Sequence, residues 1–201
     1  MSTGTQSKPQ NSGAGPKALT LPAVVASQCI FVVIAWLLNI FALRRPLLMI
    51  VSGGASLPVQ LLVGAAVAAV LAAAVSYPIL TSPGLRNVRT LMQQMAAILV
   101  SNVLFIFIAS LLAGVGEEVL FRGTLQPWLG LWWASLLFVL VHLPHILTRP
   151  LGLGSVSYLL FVFGMALVLG YLFTHFGLVS AVTAHAIFDL GLLFAFRQYA
   201  R

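Results

Sequence analysis

The chain has only three acidic residues, Glu117, Glu118 and Asp189. All three lie in long apolar runs, where the hydrocarbon core of a bilayer is expected. A charge at the bilayer centre costs at least ~2.5–3.5 kcal/mol, so an intramembrane acid needs a partner or a wet cavity and usually has a function. These carboxyl groups are therefore the first candidates for chemistry.

Helical spacing places two of these acids beside a basic side chain. Glu118 and Arg122 are four residues apart, so they share a helix face and can pair. Glu117 is rotated from Glu118 by about 100° and points elsewhere. His185 and Asp189 are also four apart, and an acid that orients an imidazole is a recurrent device in catalysis and in metal ligation.

Among the remaining histidines, His142 is the best candidate because it shares a helix face with Phe138. His145 is expected near the membrane edge, and His175 is expected to be a helix-packing hydrogen bonder. Two carboxylates and two imidazoles suffice to activate a water molecule and to stabilise an oxyanion. No serine or cysteine has a base at helical spacing, which favours activated water over a protein nucleophile.

The bulk composition requires a membrane. Of the 201 residues, 61% are hydrophobic and 6% charged, against about 25% charged in a soluble domain. The single cysteine excludes an intramolecular disulfide and a multi-cysteine metal cluster. The net charge of +7 comes from basic residues scattered around the apolar runs, whereas a nucleic-acid surface would cluster them, so no nucleic-acid partner is expected.

The elements that position these groups are predicted to be an all-α, polytopic membrane bundle of about six transmembrane helices. Residues 1–20 are predicted to be a disordered tail, 21–90 two N-terminal spans, and 91–198 a catalytic core of four spans. The individual spans are predicted at about 22–43, 57–80, 91–122, 131–147, 156–176 and 178–197.

Charge and depth predict an orientation. Six spans place both termini on one side, and that side carries most of the lysines and arginines, so the termini are predicted to be cytoplasmic, in a bacterial inner or plasma membrane. At ~1.5 Å per residue, Glu117 lies about 39 Å along the third span, His142 about 16 Å into the fourth and His185 about 10 Å into the sixth. These side chains can therefore converge in the half of the membrane opposite the termini.

At these residues the chain resembles the CPBP family, the CAAX-protease and bacteriocin-processing (Abi) intramembrane endopeptidases. The family pattern is EExxxR, FxxxH and HxxxN or HxxxD on successive membrane helices. Over about residues 91–195 it reads here Glu117, Glu118 and Arg122, then Phe138 and His142, then His185 and Asp189.

The resemblance implies hydrolysis of a peptide bond within the membrane. Glu117 with His142 would activate the water, and His185 with Asp189 would line the oxyanion site. Glu118 with Arg122, supported by Phe138, would hold the local structure. The eukaryotic CAAX branch has asparagine at the position of Asp189, and an ionised aspartate cannot donate a hydrogen bond. Asp189 is therefore either protonated or only orients His185.

The sequence leaves alternatives for the cofactor, the substrate and the side of the membrane to which the site opens. The sequence lacks HExxH, which favours a metal-free glutamate protease over a zinc enzyme. The substrate would be a prenylated CAAX protein, a secreted peptide precursor or a protein with a C-terminal sorting helix. The charge pattern predicts that the site opens towards the exterior, which favours exported substrates. In the CAAX branch the site opens towards the cytosol.

Two non-proteolytic functions compete with this hypothesis. The first is a bacteriocin-immunity protein or membrane scaffold on the same fold, with the motif residues as structural pairs. The second is a proton-coupled transporter, which the small number of spans and the absence of broken-helix repeats disfavour.

Overall fold

The computed structural model describes residues 20–46, 53–86, 88–90, 92–93, 103–144 and 153–197. The regular elements in these ranges are all helical, which confirms the predicted all-α class. The six α-helices are α1 Leu21–Leu38, α2 Leu57–Thr81, α3 Val103–Leu120, α4 Gln126–His142, α5 Leu153–Phe176 and α6 Leu178–Arg197. The predicted tail, the start of the third span, His145 and most of the 148–155 loop lie outside the described residues.

Five described segments are long and apolar enough to cross a membrane: Leu21–Leu43, Leu57–Thr81, Val103–His142, Ser155–Phe176 and Leu178–Arg197. The third segment holds two helices, because Gly130 has φ 83° and ψ 168° and ends the helical path. The rings of Phe121 and Phe138 are 5.0 Å apart, whereas a straight helix would separate them by about 25 Å. The chain therefore reverses at Gly130.

The sequence predicted that the third span ends near Arg122, but the helix continues beyond it. A π-helical turn, Phe121–Leu125, carries the helix directly into α4. The segment 123–130, which the predicted spans leave between them, thus begins inside this turn, and only Gly130 adopts a positive φ there. The neighbouring Trp128 and Trp132 are 54% and 63% exposed, as expected for residues in the headgroup region.

Helix α6 is central in the bundle. It lies against α2, α3 and α5, while α1 packs on α3 and α4 packs on α5. A Cβ added to Gly64 of α2 would meet Ser180, and one added to Gly114 of α3 would meet Val182 and Ala186. These small residues thus permit a close approach of α2 and α3 to α6.

The start of α6 is fixed by Gln60, a buried side chain of α2. Its Oε1 accepts hydrogen bonds from the backbone N–H groups of Val179 at 3.0 Å and Ser180 at 3.3 Å. Its Nε2 donates to the carbonyl of Ala55 at 2.8 Å. Because the first N–H groups of a helix lack partners within the helix, this contact anchors the helix that carries His185.

Candidate active site

Glu118 is the centre of a buried ion-pair network. Its Oε2 lies 3.1 Å from Nε of Arg122, and both side chains are fully buried. This is the pair that four-residue spacing predicted. Its Oε1 accepts a hydrogen bond from Nδ1 of His185 at 2.8 Å. One carboxylate thus joins α3 to α6, and its charge is compensated from two sides.

Phe138 supports the network from α4. The guanidinium carbon of Arg122 lies 5.0 Å from the centroid of the Phe138 ring, a cation–π distance. The same ring lies 4.6 Å from the imidazole of His142 and 6.0 Å from that of His185. The aromatic residue of the second motif therefore contacts basic side chains from three helical segments.

Glu117 faces a different partner, His142. Nε2 of His142 lies 3.9 Å from Oε2 of Glu117, and the two side chains are 20% and 12% exposed. That distance is too long for a direct hydrogen bond. Nδ1 of His142 lies 2.8 Å from the Phe138 carbonyl, which can only accept, so Nδ1 carries a proton. In the neutral imidazole Nε2 is then an acceptor, and one water molecule can donate to both Nε2 and the carboxylate.

His185 lies between two carboxylates. Its Nδ1 bonds to Glu118, and its Nε2 lies 3.5 Å from Oδ2 of Asp189, which is 34% exposed. The sequence predicted only the partner on the same helix. The shorter contact is the cross-helix contact with Glu118, which linear spacing could not reveal.

Sequence reasoning missed Asn39, which directly follows α1 and connects that helix to the π-helical turn after Glu118. Asn39 is buried, and its Nδ2 donates to the hydroxyl of Thr124 at 2.7 Å. The Thr124 hydroxyl in turn donates to the carbonyl of Val119 at 3.1 Å. Isolated π-helical turns are frequent at functional sites. An amide within an apolar run was the signal that could have found Asn39.

His175 lies outside this site, as the sequence predicted, and the site residues are not arranged as a usual metal site. His175 is exposed, its Nδ1 donates to the carbonyl of Tyr171 at 2.9 Å, and its ring stacks on that of Tyr171. Among the described residues, no group of three or more His, Cys, Asp or Glu side chains is arranged to hold a metal ion. The residues therefore do not form a zinc site of the usual three protein ligands, and metal independence stays a prediction.

Comparison with known proteins covers the segment that holds the site. Residues 99–191 match the family model of the type II CAAX prenyl endopeptidases, Rce1-like. The chain is 37% identical over 87 residues to the uncharacterized protein YpbD of Bacillus subtilis, which covers 42% of this chain and 41% of YpbD. The chain thus spans about two fifths of the length of that relative. No solved structure gives a significant match.

Proposed function

We infer that this chain, whose residues 99–191 match the family model of the Rce1-like type II CAAX prenyl endopeptidases, is an intramembrane endopeptidase that uses activated water. The observation that carries the proposal is the pair Glu117 and His142. The two side chains are partly exposed, and their acceptor atoms face each other across 3.9 Å.

In the proposed reaction, a water molecule donates hydrogen bonds to the Glu117 carboxylate and to Nε2 of His142. Its oxygen forms a bond to the carbonyl carbon of the substrate as Glu117 takes its proton. The carbonyl electron pair moves onto oxygen and gives a tetrahedral oxyanion. When that intermediate collapses, the C–N bond breaks and the proton passes from Glu117 to the leaving amine.

The buried network performs a supporting role in this proposal. Glu118 fixes His185 by a 2.8 Å hydrogen bond and is itself held by Arg122 at 3.1 Å. Both contacts are buried in a low-dielectric interior, where interactions between charged groups are stronger than in water. The network thus holds α3 and α6 at a fixed distance, while Glu117 on the adjacent face is left to react.

The proposed substrate is a membrane-associated or exported protein or peptide. Its chemistry would be that of a prenylated CAAX protein, a secreted peptide precursor or a protein with a C-terminal sorting helix. We place the enzyme in a bacterial inner or plasma membrane with its termini in the cytoplasm.

The proposal is tested with purified protein and a library of membrane peptides that includes a farnesylated CAAX peptide. Wild-type protein is compared with Glu117→Gln, each with and without a chelator. Cleavage that disappears in Glu117→Gln and survives the chelator is the expected result. Cleavage lost with the chelator and restored by zinc would overturn the metal-free chemistry. The absence of cleavage, with Glu117→Gln still functional in cells, would favour an immunity or scaffold protein.

A further inference from the structure

The proposed reaction needs hydrogen-bond donors for the oxyanion, and an ionised Asp189 does not supply the donor that an asparagine at this position would. Nδ1 of His185 is bound to Glu118, and its Nε2 faces Asp189. An ionised aspartate accepts hydrogen bonds but cannot donate them. Arg122 is fully buried between Glu118 and Phe138, so a substrate carbonyl does not reach it. A donor that replaces the missing amide would come from another element.

Helix α5 presents such a donor, Tyr158. It is 7% exposed and packs in the core cluster that includes Phe138, the ring that contacts both site histidines. Three residues further along α5, on the same face, Phe161 packs against Phe188 with ring centroids 5.6 Å apart. Phe188 lies on α6, so this face of α5 packs against the helix that carries His185 and Asp189.

The Tyr158 hydroxyl also interacts electrostatically with the carboxylates of Asp189 and Glu117. These two acids belong to α6 and α3, so the phenol of α5 is within electrostatic range of acids from two other helices. A tyrosine hydroxyl is ordinarily protonated at neutral pH and donates one hydrogen bond.

We propose that Tyr158 is a catalytic residue that donates a hydrogen bond to the oxyanion, in place of the amide that Asp189 lacks. The proposal rests on the function proposed above. The phenol keeps its proton throughout, and its O–H dipole stabilises the negative charge that forms on the carbonyl oxygen. When the C–N bond breaks, the oxygen electron pair re-forms the C=O bond, and the leaving amine takes the proton from Glu117. Tyr158 thus has a role separate from that of Glu117, which carries the proton.

The test is Tyr158→Phe, which removes one oxygen atom and keeps the ring. Tyr171→Phe is the matched control, because Tyr171 lies on the same helix but is 55% exposed and stacks on His175. Both variants are assayed on the library peptide that wild-type protein cleaves fastest. We expect kcat of Tyr158→Phe to fall about 10²–10³-fold, the usual effect of losing one oxyanion donor, with KM and thermal stability unchanged. Tyr171→Phe should keep the wild-type kcat.

A second variant distinguishes donation from packing. Asp189→Asn supplies an amide N–H, so combining it with Tyr158→Phe should recover part of the lost kcat. A wild-type kcat in Tyr158→Phe, or a loss that Asp189→Asn does not relieve, would overturn the inference. If Glu117→Gln is inactive while Tyr158→Phe is fully active, the proposed function stands and the inference fails. A wild-type protein that cleaves no peptide would overturn both.

Discussion

Two adjacent glutamates lie in contrasting environments on the two sides of the site. On the closed side, Glu118 is fully buried, with Arg122 at 3.1 Å and His185 at 2.8 Å. On the open side, Glu117 and His142 are partly exposed and 3.9 Å apart. The closed side is held by two short, buried contacts, whereas on the open side the two groups are separated by a distance that a water molecule can bridge.

The contrast follows from helix geometry. Successive residues of an α-helix are rotated by about 100°, so a pair of glutamates on α3 addresses two different neighbours. One neighbour is α6, whose His185 contacts Glu118, and the other is α4, whose His142 faces Glu117. A dipeptide can therefore combine a structural acid and a reactive acid without a loop or a second domain.

Removing the closed-side acid should have the largest effect. Glu118→Ala leaves Arg122 buried without its partner, and breaking a buried pair costs about 3–5 kcal/mol. We expect a loss of that size in the free energy of unfolding, measured by denaturant titration in detergent micelles, together with the loss of proteolysis. Adding Arg122→Met should restore part of the stability, because an apolar side chain no longer needs a counter-charge. If the Glu118→Ala variant were as stable as wild type, the network would not be structural.

Removing the open-side acid should separate activity from stability. Glu117→Gln retains the shape of the side chain but removes the proposed general base, a group that contributes about 10²–10⁴-fold to the rate. We expect a rate loss of that order and a change of less than about 1 kcal/mol in the free energy of unfolding, since the ion pair of Glu117 with His142, at 3.9 Å, is longer than those of Glu118. The same detergent titration and peptide cleavage assay measure both. A destabilisation as large as that of Glu118→Ala would erase the distinction between the two sides.

The sequence predicted contacts within a helix better than contacts between helices. Four-residue spacing identified Glu118 with Arg122 and His185 with Asp189, because the α-helix alone fixes those distances. The bond between Glu118 and His185 depends on how α3 packs on α6, which depends on small residues such as Gly114.

The helix boundaries show the same limit. The apolar runs identified the spans, since about 20 apolar residues suffice to cross a bilayer. The π-helical turn Phe121–Leu125 left no recognisable signal, because its residues are compatible with an ordinary helix. The spans predicted at about 91–122 and 131–147 leave the reversal anywhere within residues 123–130. It lies at Gly130, since glycine permits a turn at both Gly123 and Gly130 and only packing selects one.

The closed side extends beyond the family-matched segment to Asn39, at the end of α1. Substituting this residue should have a smaller effect than substituting Glu118. Asn39→Ala removes the donor to Thr124 and should cost about 1–3 kcal/mol, because it leaves a buried group without its hydrogen bond. A double-mutant cycle with Thr124→Val measures the pair in the denaturant titration. We expect the double variant to be more stable than the sum of the single losses predicts. Strict additivity would mean that α1 does not support the π-helical turn.

Substituting His175 should have the smallest effect. This substitution tests whether the position or the residue type makes a membrane histidine functional. Its ring bonds to the carbonyl of Tyr171 on its own helix and is exposed, whereas His142 and His185 each contact an acid from another helix. His175→Gln should therefore leave the cleavage rate unchanged and alter the free energy of unfolding by no more than about 0.5 kcal/mol, as is usual for surface substitutions. A marked loss of cleavage in this variant would place a third imidazole in the reaction and would undermine the division of the site into a closed side and an open side.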